Sequence, residues 1–459
     1  MSQQSSMTTT LLCLILLLFA SGCKKSYEIQ SPPVPEVTGD KIISVEEMTE
    51  DLEFAINVLG DVHPKTYRGF SQKQKQLIKS LRAKITEPME AQKFYFIVNE
   101  LFFSFKDAHT SLSPMKSKKN RFIDAELVWL HDGLYVKNAS DKLKQGDKVI
   151  AIGNKSTSQL LDELEQMIPA ENLHYVQYKA GRNLTHESYL DQLGIIQNDT
   201  VNYLIRRDDI ELMLNMSLTN NSKITSEQIS KPWVRFQVDK KLSLGIFTLD
   251  TCRYNDEFKN KLNDFFAEVK KHNIRHIAVD VRNNSGGNSR VIEEFLSYMN
   301  IKKYKSFSMG VRYSEASKKL ANSYKDRGYK EPFSRSNIRD NRKCPDPELM
   351  FNGKLYILVS AKTFSSANWF AVGVKDNELG MIIGEPTGNQ PTSYGDVLGF
   401  QLPNTGFRFI CSYKKWIRPD KSNDPEDAIY PDVIAYTTIE DIIQNRDTQI
   451  EKLKEIISF

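Results

Sequence analysis

Three short segments of this chain carry residue types that could together break an acyl bond. Ser365 follows an apolar run at 355–359 and precedes a predicted helix that begins at Ser366. A serine on a tight strand-to-helix turn exposes its hydroxyl, and neighbouring backbone N–H groups can stabilise an oxyanion beside it. Taken alone, Ser365 is more simply a helix cap, because serine is a favoured N-cap residue.

A histidine and a glycine-containing loop change that interpretation. His109 follows an aromatic, helix-like stretch at 94–105. An imidazole that titrates near neutral pH can accept a serine proton and return it to a leaving amine. The segment 276–288 is an apolar strand that runs into a loop containing Gly286. In chain order the sequence offers a base, an oxyanion loop and a nucleophile, although His109 alone could be a packed structural histidine.

These motifs and their order resemble the C-terminal processing, or tail-specific, serine peptidases, particularly their tricorn-like branch. The motifs are His109-Thr110, Asp280-x-Arg282-Asn283-Asn284-x-Gly286-Gly287, Thr363-Phe364-Ser365-x-Ala367 and Gly384-Glu385-Pro386-Thr387. The resemblance implies that Ser365 is the nucleophile and that the N–H groups of Gly286 and Ser366 form the oxyanion hole. It implies no cofactor and no metal, and the chain has no zinc-type pairing of cysteine and histidine.

The base of this family differs between branches. Where a Ser–Lys dyad is used, the lysine lies a few residues beyond the Gly-Glu-Pro-Thr motif, but positions 388–390 here read Gly-Asn-Gln. The sequence therefore favours His109 as the general base. Two other departures are Asn368, where the family usually has an acidic residue, and Ser285, which replaces a glycine.

A carboxylate near the C-terminus orients the base in the tricorn-like branch, shortly before a Pro-Asp pair. The resemblance implies Glu426 in this role, ahead of Pro431-Asp432, with Asp427 as the second choice. A solvated acidic loop is an equally good description of this stretch.

The expected function is that of a serine endopeptidase that cleaves proteins or peptides through an acyl-enzyme on Ser365. The alternative is a catalytically weak or inactive lipid-anchored protein that binds peptides or hydrophobic ligands on the same scaffold. A hydrolase of esters would use the same residues. A formal net charge of +4 does not indicate a nucleic-acid partner, and the lysine clusters at 116–119 and 302–305 are more simply solvated faces.

The start of the chain resembles a bacterial lipoprotein signal. An apolar run at 11–20 is too short to span a bilayer but fits the core of a secretory signal. Ser21-Gly22-Cys23 resembles a lipobox, which implies lipidation of Cys23, although residues 1–10 lack lysine and arginine. We therefore expect an envelope protein on a lipid anchor, with its catalytic domain in the periplasm or at the cell surface.

The chain is too long for one compact core and predicts a multi-domain α/β protein. We expect a signal peptide at 1–22, a tether at 23–43, a helical N-terminal unit carrying His109 at 44–115, a PDZ-like domain at 116–222 and a catalytic domain at 223–459. Strands alternate with helices from about residue 231, and the family implies a crotonase-like ββα spiral there. The Leu-x-x-Gly-Asp turn at 143–147 resembles a PDZ module, which would bind an extended peptide at a sheet edge; a purely supporting β domain is the alternative.

Overall fold

The computed structural model of the chain describes residues 32–115, 121–224, 231–318 and 337–458. The predicted signal peptide and Cys23 lie outside the described residues. Within these ranges, no helix combines the length and the apolar character that crossing a membrane requires.

Helices dominate the first part of the chain. The elements are β1 (Ile42–Ile43), α1 (Val45–Val62), α2 (Gln72–Lys84), β2 (Met89–Glu90), α3 (Ala91–Phe103) and β3 (Ser111–Leu112). A capping box starts α1: Ser44 Oγ accepts from the Glu47 N–H, and the Glu47 carboxylate accepts from the Ser44 N–H. Two amides that the helix itself cannot satisfy are thereby paired.

An antiparallel sheet with three helices forms the middle of the chain. Its elements are β4 (Ala125–Leu130), β5 (Gly133–Ala139), β6 (Lys148–Ile152), β7 (Lys155–Ser156), α4 (Thr157–Glu165), α5 (Leu173–Asn183), α6 (Glu187–Gln192), β8 (Thr200–Arg207) and β9 (Ile210–Ser217). The strand order is β4-β5-β6-β8-β9, with β7 beside β6. Asp147 closes the turn before β6 by accepting the Lys144 N–H and pairing with Arg207.

A mostly parallel sheet organises the last part of the chain. The elements are β10 (Val234–Asp239), β11 (Leu244–Leu249), α7 (Asp256–Lys271), β12 (His276–Asp280), α8 (Arg290–Ser297), β13 (Lys303–Lys305), β14 (Ser308–Val311), α9 (Glu315–Lys318), β15 (Ile338–Asp340), β16 (Lys354–Val359), α10 (Ser366–Asp376), β17 (Met381–Gly384), β18 (Ser393–Gln401), β19 (Arg408–Ile417), β20 (Val433–Ile434), α11 (Ile439–Gln444) and α12 (Thr448–Ser458).

The main sheet has the order β10-β11-β12-β16-β17-β20, and every neighbouring pair except β10–β11 is parallel. Side chains of α7, α8 and α10 fill one face, and Leu453 of α12 belongs to the smaller apolar cluster with β11, β12 and β16. Because β12 and β16 are adjacent and parallel, the loops that follow them leave the sheet at the same edge. Those two loops contain Gly286 and Ser365.

A second sheet joins the two ends of the chain. It has the order β14-β19-β18, and β3 pairs with β19 so that Leu112 lies opposite Phe409. Residues of α1 and α3 share one hydrophobic cluster with β18 and β19. The segment 44–115 contains α1, α2 and α3, and its hydrophobic core is completed by C-terminal strands. The chain has a mixed α/β, multi-domain fold.

Candidate active site

Ser365 occupies a strained turn between β16 and α10. Its backbone has φ 55° and ψ −128°, in a region that residues other than glycine rarely adopt. Such strain typically costs about 1–3 kcal/mol and persists only where the surroundings enforce it. The Ser365 N–H donates to Asn389 Oδ1 at 2.9 Å, and its side chain makes no cap hydrogen bond. The hydroxyl therefore does not cap α10.

The Ser365 hydroxyl instead contacts His109. His109 Nε2 lies 3.0 Å from Ser365 Oγ, which is hydrogen-bond distance. The pairing of β3 with β19 fixes the segment that carries His109, and the imidazole ring packs on Phe364 with the ring centroids 4.6 Å apart. The structure thus brings together two predicted site residues that are 256 positions apart in the chain.

Asp107 supplies a carboxylate that sequence reasoning did not assign to the site. Its Oδ1 accepts the backbone N–H of His109 at 2.9 Å and lies 3.8 Å from His109 Nδ1. Its Oδ2 accepts the hydroxyls of Thr110 and Ser412 at 2.6 and 2.8 Å. Burial opposes ionisation, but the hydrogen bonds that His63 and Thr110 donate hold the pKa of Asp107 well below its usual range. Asp107 is therefore an anion beside the imidazole.

His63 has one defined tautomer. The Lys65 N–H donates to His63 Nδ1 at 3.0 Å, so that nitrogen carries no proton. Nε2 then donates to Asp107 Oδ2 at 3.1 Å. Burial lowers the pKa of His63, and Asp107 offsets this only in part. His63 is thus a neutral donor that helps to hold Asp107 in place.

The predicted oxyanion donors, Gly286 and Ser366, lie against Ser365. A Cβ added to Gly286 would lie 2.5 Å from Ser365 Cβ and 3.0 Å from the Ser366 nitrogen, so only glycine allows this approach. The Ser366 N–H opens α10, where the first amides have no acceptor inside the helix. The Gly286 N–H donates to Asn284 Oδ1 at 2.8 Å. Of the two predicted donors, the Ser366 amide is therefore the one that can bind an oxyanion without a change in the loop that contains Gly286.

Glu426, which the sequence predicts as the residue that orients His109, has a different partner in the structure. Glu426 Oε2 lies 2.5 Å from Arg418 Nη1, whose guanidinium also pairs with Asp376. Arg418 is fully buried, and a buried guanidinium requires carboxylate partners. The second choice, Asp427, accepts from the Tyr430 hydroxyl. The order of motifs along the chain does not show that Arg418 pairs with Glu426.

Asn389 and Glu171 complete the surroundings of the pair formed by Ser365 and His109. Asn389 is fully buried; its Nδ2 donates to Glu171 Oε1 at 3.1 Å, while its Oδ1 holds the Ser365 amide. Among the described residues, Asp107, His109 and Glu171 form the single group of three whose ligand-type atoms all lie within 4.8 Å of one another. Asp107 already accepts several hydrogen bonds and His109 faces Ser365, so the group is better suited to proton transfer than to holding a metal.

Two cavities flank this centre. One of about 360 Å³ is lined by a mixture of apolar and polar side chains, among them Met167, Lys179 and Arg182, and by Ala108. The other, of about 870 Å³, lies between β4, α5 and the loop that contains Ala361 and Lys362. Neither lining includes Ser365 or His109, but each includes residues close to one of them in the chain, and a substrate chain could lie in either space.

Comparison with known proteins bears on this arrangement. Residues 243–435 match the model of peptidase family S41. The fold is similar to that of mature CPAF, at a TM-score of 0.62 and 15% identity over 90% of this chain and 96% of that chain. Mature CPAF complexed with lactacystin gives a TM-score of 0.62 at 14% identity over 90% of this chain and 98% of that chain. No curated protein sequence matches significantly.

At this identity the structural likeness concerns the fold alone. The family match covers the main sheet from β11 to β20, Gly286 and Ser365, but neither β10 nor His109. The match over residues 243–435 is to a peptidase of the S41 type, and it indicates that the protein is a serine-type peptidase.

Proposed function

We propose that this peptidase cleaves proteins or peptides by acyl transfer to Ser365, with His109 as general base and then general acid. The contact of 3.0 Å between His109 Nε2 and Ser365 Oγ carries the proposal. A serine hydroxyl is a weak nucleophile until a positioned base removes its proton. The strained turn, which presents the hydroxyl to the base and not to the helix, further supports it.

The steps follow from the positions of these groups. Ser365 Oγ attacks the substrate carbonyl as its proton passes to His109 Nε2, and Asp107 stabilises the imidazolium that forms. The Ser366 N–H stabilises the oxyanion, joined by the Gly286 N–H once that amide turns away from Asn284. His109 then protonates the leaving amine, and water releases the acyl group by the reverse sequence.

A protein that only binds ligands on this scaffold is the less favoured alternative. It rests on the two departures from the family motifs. Asn368 is buried and donates to the Asn389 carbonyl at 2.9 Å, and Ser285 is exposed on its loop. Neither residue interferes with the contact between His109 and Ser365.

Hydrolysis of an unfolded protein substrate such as casein tests the proposal. We expect Ser365→Ala and His109→Ala each to lower kcat by at least about 10³-fold, with circular dichroism spectra like that of the wild type. Ser158→Ala, which changes an exposed serine on α4, is the matched control and should retain full activity. Equal turnover by wild type and Ser365→Ala would contradict the mechanism.

We also propose a PDZ-like unit at 116–222 and a crotonase-like spiral within 223–459, with 44–115 as the helical unit. The antiparallel sheet and α5 support the first. Gly181 of α5 lies so close to β4 that an added Cβ would be 2.4 Å from the Leu127 carbonyl oxygen. We therefore favour a supporting role over peptide capture at this strand. Amidation of a substrate's C-terminus should leave KM unchanged; a large increase in KM would contradict this.

The N-terminal segment bears on where in the cell the enzyme acts. We propose that cleavage before Cys23 and lipidation of this residue anchor the enzyme in a bacterial envelope, with 23–43 as the tether. The apolar run at 11–20 and the Ser-Gly-Cys order support this. Metabolic labelling with a palmitate analogue should mark the wild type and not Cys23→Ala. Equal labelling of both would contradict the anchor.

A further inference from the structure

Glu171 lies at the catalytic centre although it belongs to the middle part of the chain. It precedes α5, and its Oε1 accepts from Asn389 Nδ2 at 3.1 Å. One of its oxygens lies within 4.8 Å of both a ring nitrogen of His109 and a carboxylate oxygen of Asp107. Its Oε2 atom is shielded from solvent and has no hydrogen-bond partner among the described residues.

The segment around Glu171 is held in place on both sides. Asn172 caps α5 by accepting the Tyr175 N–H, and its Nδ2 donates to the carbonyls of Thr387 and Asp427 at 3.0 and 2.7 Å. Before it, the Met167 carbonyl accepts from Asn99 Nδ2 of α3 at 2.6 Å. The backbone on both sides of Glu171 is therefore fixed by contacts with other parts of the fold.

Asn389 connects Glu171 to the nucleophile. One amide side chain accepts from the Ser365 N–H and donates to the Glu171 carboxyl. In this way the strained backbone of Ser365 and the group that packs beside His109 share a single support. The position of Asn389 also corresponds to the stretch where the Ser–Lys branch of the family has its lysine.

We propose that Glu171 is a positioning residue of this peptidase: its carboxyl group, held by Asn389, packs beside His109 and Asp107 and fixes the imidazole toward Ser365. The proposal rests on the Ser365–His109 mechanism given above. It assigns to Glu171 the support that the sequence assigned to Glu426, which instead pairs with Arg418.

The protonation state of Glu171 fits this role. Burial, followed by the charge of Asp107, raises the pKa of Glu171 well above its ordinary value. The other titratable groups that face it are His109, Lys65 and Tyr175. Glu171 therefore keeps its proton at a pH where Asp107 is ionised, and a glutamine can imitate it.

Two substitutions of Glu171 and one control distinguish a role in positioning His109 from a role in stabilising the fold. We expect Glu171→Ala to lower kcat about 10- to 100-fold while KM changes less than threefold. Glu171→Gln should recover at least a third of wild-type kcat at neutral pH, and its pH profile should lack one ionisation seen in the wild type. Glu163→Gln changes a side chain of α4 that pairs with Lys155 of β7, and this variant should behave as the wild type.

The contradicting results are equally definite. The proposal is wrong if Glu171→Ala stays within twofold of wild-type kcat, or if Glu171→Gln loses as much activity as Glu171→Ala. It is also wrong if Glu426→Gln produces the loss of kcat in place of the Glu171 variants. If Glu171→Ala does not fold, the pH profile of Glu171→Gln alone decides.

A spectroscopic measurement separates this inference from the mechanism on which it rests. The chain has seven histidines, few enough to assign by ¹⁵N-histidine NMR. In Glu171→Ala the ring nitrogen shifts of His109 should change, whatever the activity of the enzyme. Unchanged shifts would overturn the role of Glu171, whereas an inactive wild type with changed shifts would overturn only the mechanism.

Discussion

Replacing Asp107 by asparagine should disable the peptidase, because two features of its surroundings require a carboxylate. His63, Thr110 and Ser412 all donate to Oδ2, so an asparagine would keep its oxygen at that position. Its NH₂ group would then face the His109 N–H, which in the native protein donates to Oδ1 at 2.9 Å. Two donors that face each other in a buried site cost about 1–3 kcal/mol.

The lost charge affects catalysis more than stability. Asp107 Oδ1 lies 3.8 Å from His109 Nδ1. At an effective dielectric constant of about 20, two unit charges at this distance attract by about 4 kcal/mol. The attraction exists only when His109 is protonated, which the proposed mechanism requires in the transition state. Since about 1.4 kcal/mol corresponds to a factor of ten in rate, we expect kcat to fall by about 10²- to 10³-fold in Asp107→Asn.

Steady-state hydrolysis of a fluorogenic peptide by Asp107→Asn measures this effect, with the melting temperature recorded in parallel. Asp51→Asn is the matched control, because Asp51 is an equally buried carboxylate that binds Thr405 and Asn404 far from His109 along the chain. The control should lose stability and keep its kcat. A folded Asp107→Asn with kcat within threefold of the wild type would refute the assignment of Asp107 as the anion that supports the base.

Three further results are expected. Asn389→Ala removes the acceptor of the Ser365 N–H and should lower kcat at least tenfold and reduce the melting temperature; unchanged values would show that the strained turn needs no such support. Gly286→Ala places a Cβ 2.5 Å from Ser365 Cβ and should abolish turnover in a peptide assay, whereas activity within tenfold of the wild type would contradict that contact. Burial lowers the pKa of His63, so the unfolded state binds more protons than the folded state below about pH 6.5, and stability falls on acidification. Urea unfolding at pH 7 and pH 5 should show a loss of up to about 1.4 kcal/mol per pH unit from this residue, and an identical loss in His63→Phe would exclude it as the cause.

Local sequence signals predicted the main sheet well. The apolar run at 355–359 lies within β16, the predicted apolar strand at the start of 276–288 is β12, and the helix predicted to begin at Ser366 begins there. Continuous apolar runs and abrupt turns mark these elements, since buried parallel strands need no polar face. The contact between Ser365 and His109 was also expected from the resemblance, although the roles of the two residues remain predictions.

Long-range packing accounts for what the sequence could not provide. The pairing of β3 with β19 joins segments that are far apart in the chain, and no local sequence pattern predicts it. Asp107 could have been found from its spacing, because the side chain of an aspartate can accept the backbone N–H of the residue two positions later, here His109. Glu171 had no such signal: its place depends on the docking of Asn172 against Thr387 and Asp427.

Reaction of the purified enzyme with a fluorophosphonate, followed by peptide mass spectrometry, tests the Ser365–His109 pair most directly. A serine that only caps a helix is not activated and does not react at an appreciable rate. We predict a single modification on Ser365 in the wild type and a rate at least about 10²-fold lower in His109→Ala. Equal labelling of Ser365 in both proteins, or none in a folded wild type, would contradict the mechanism.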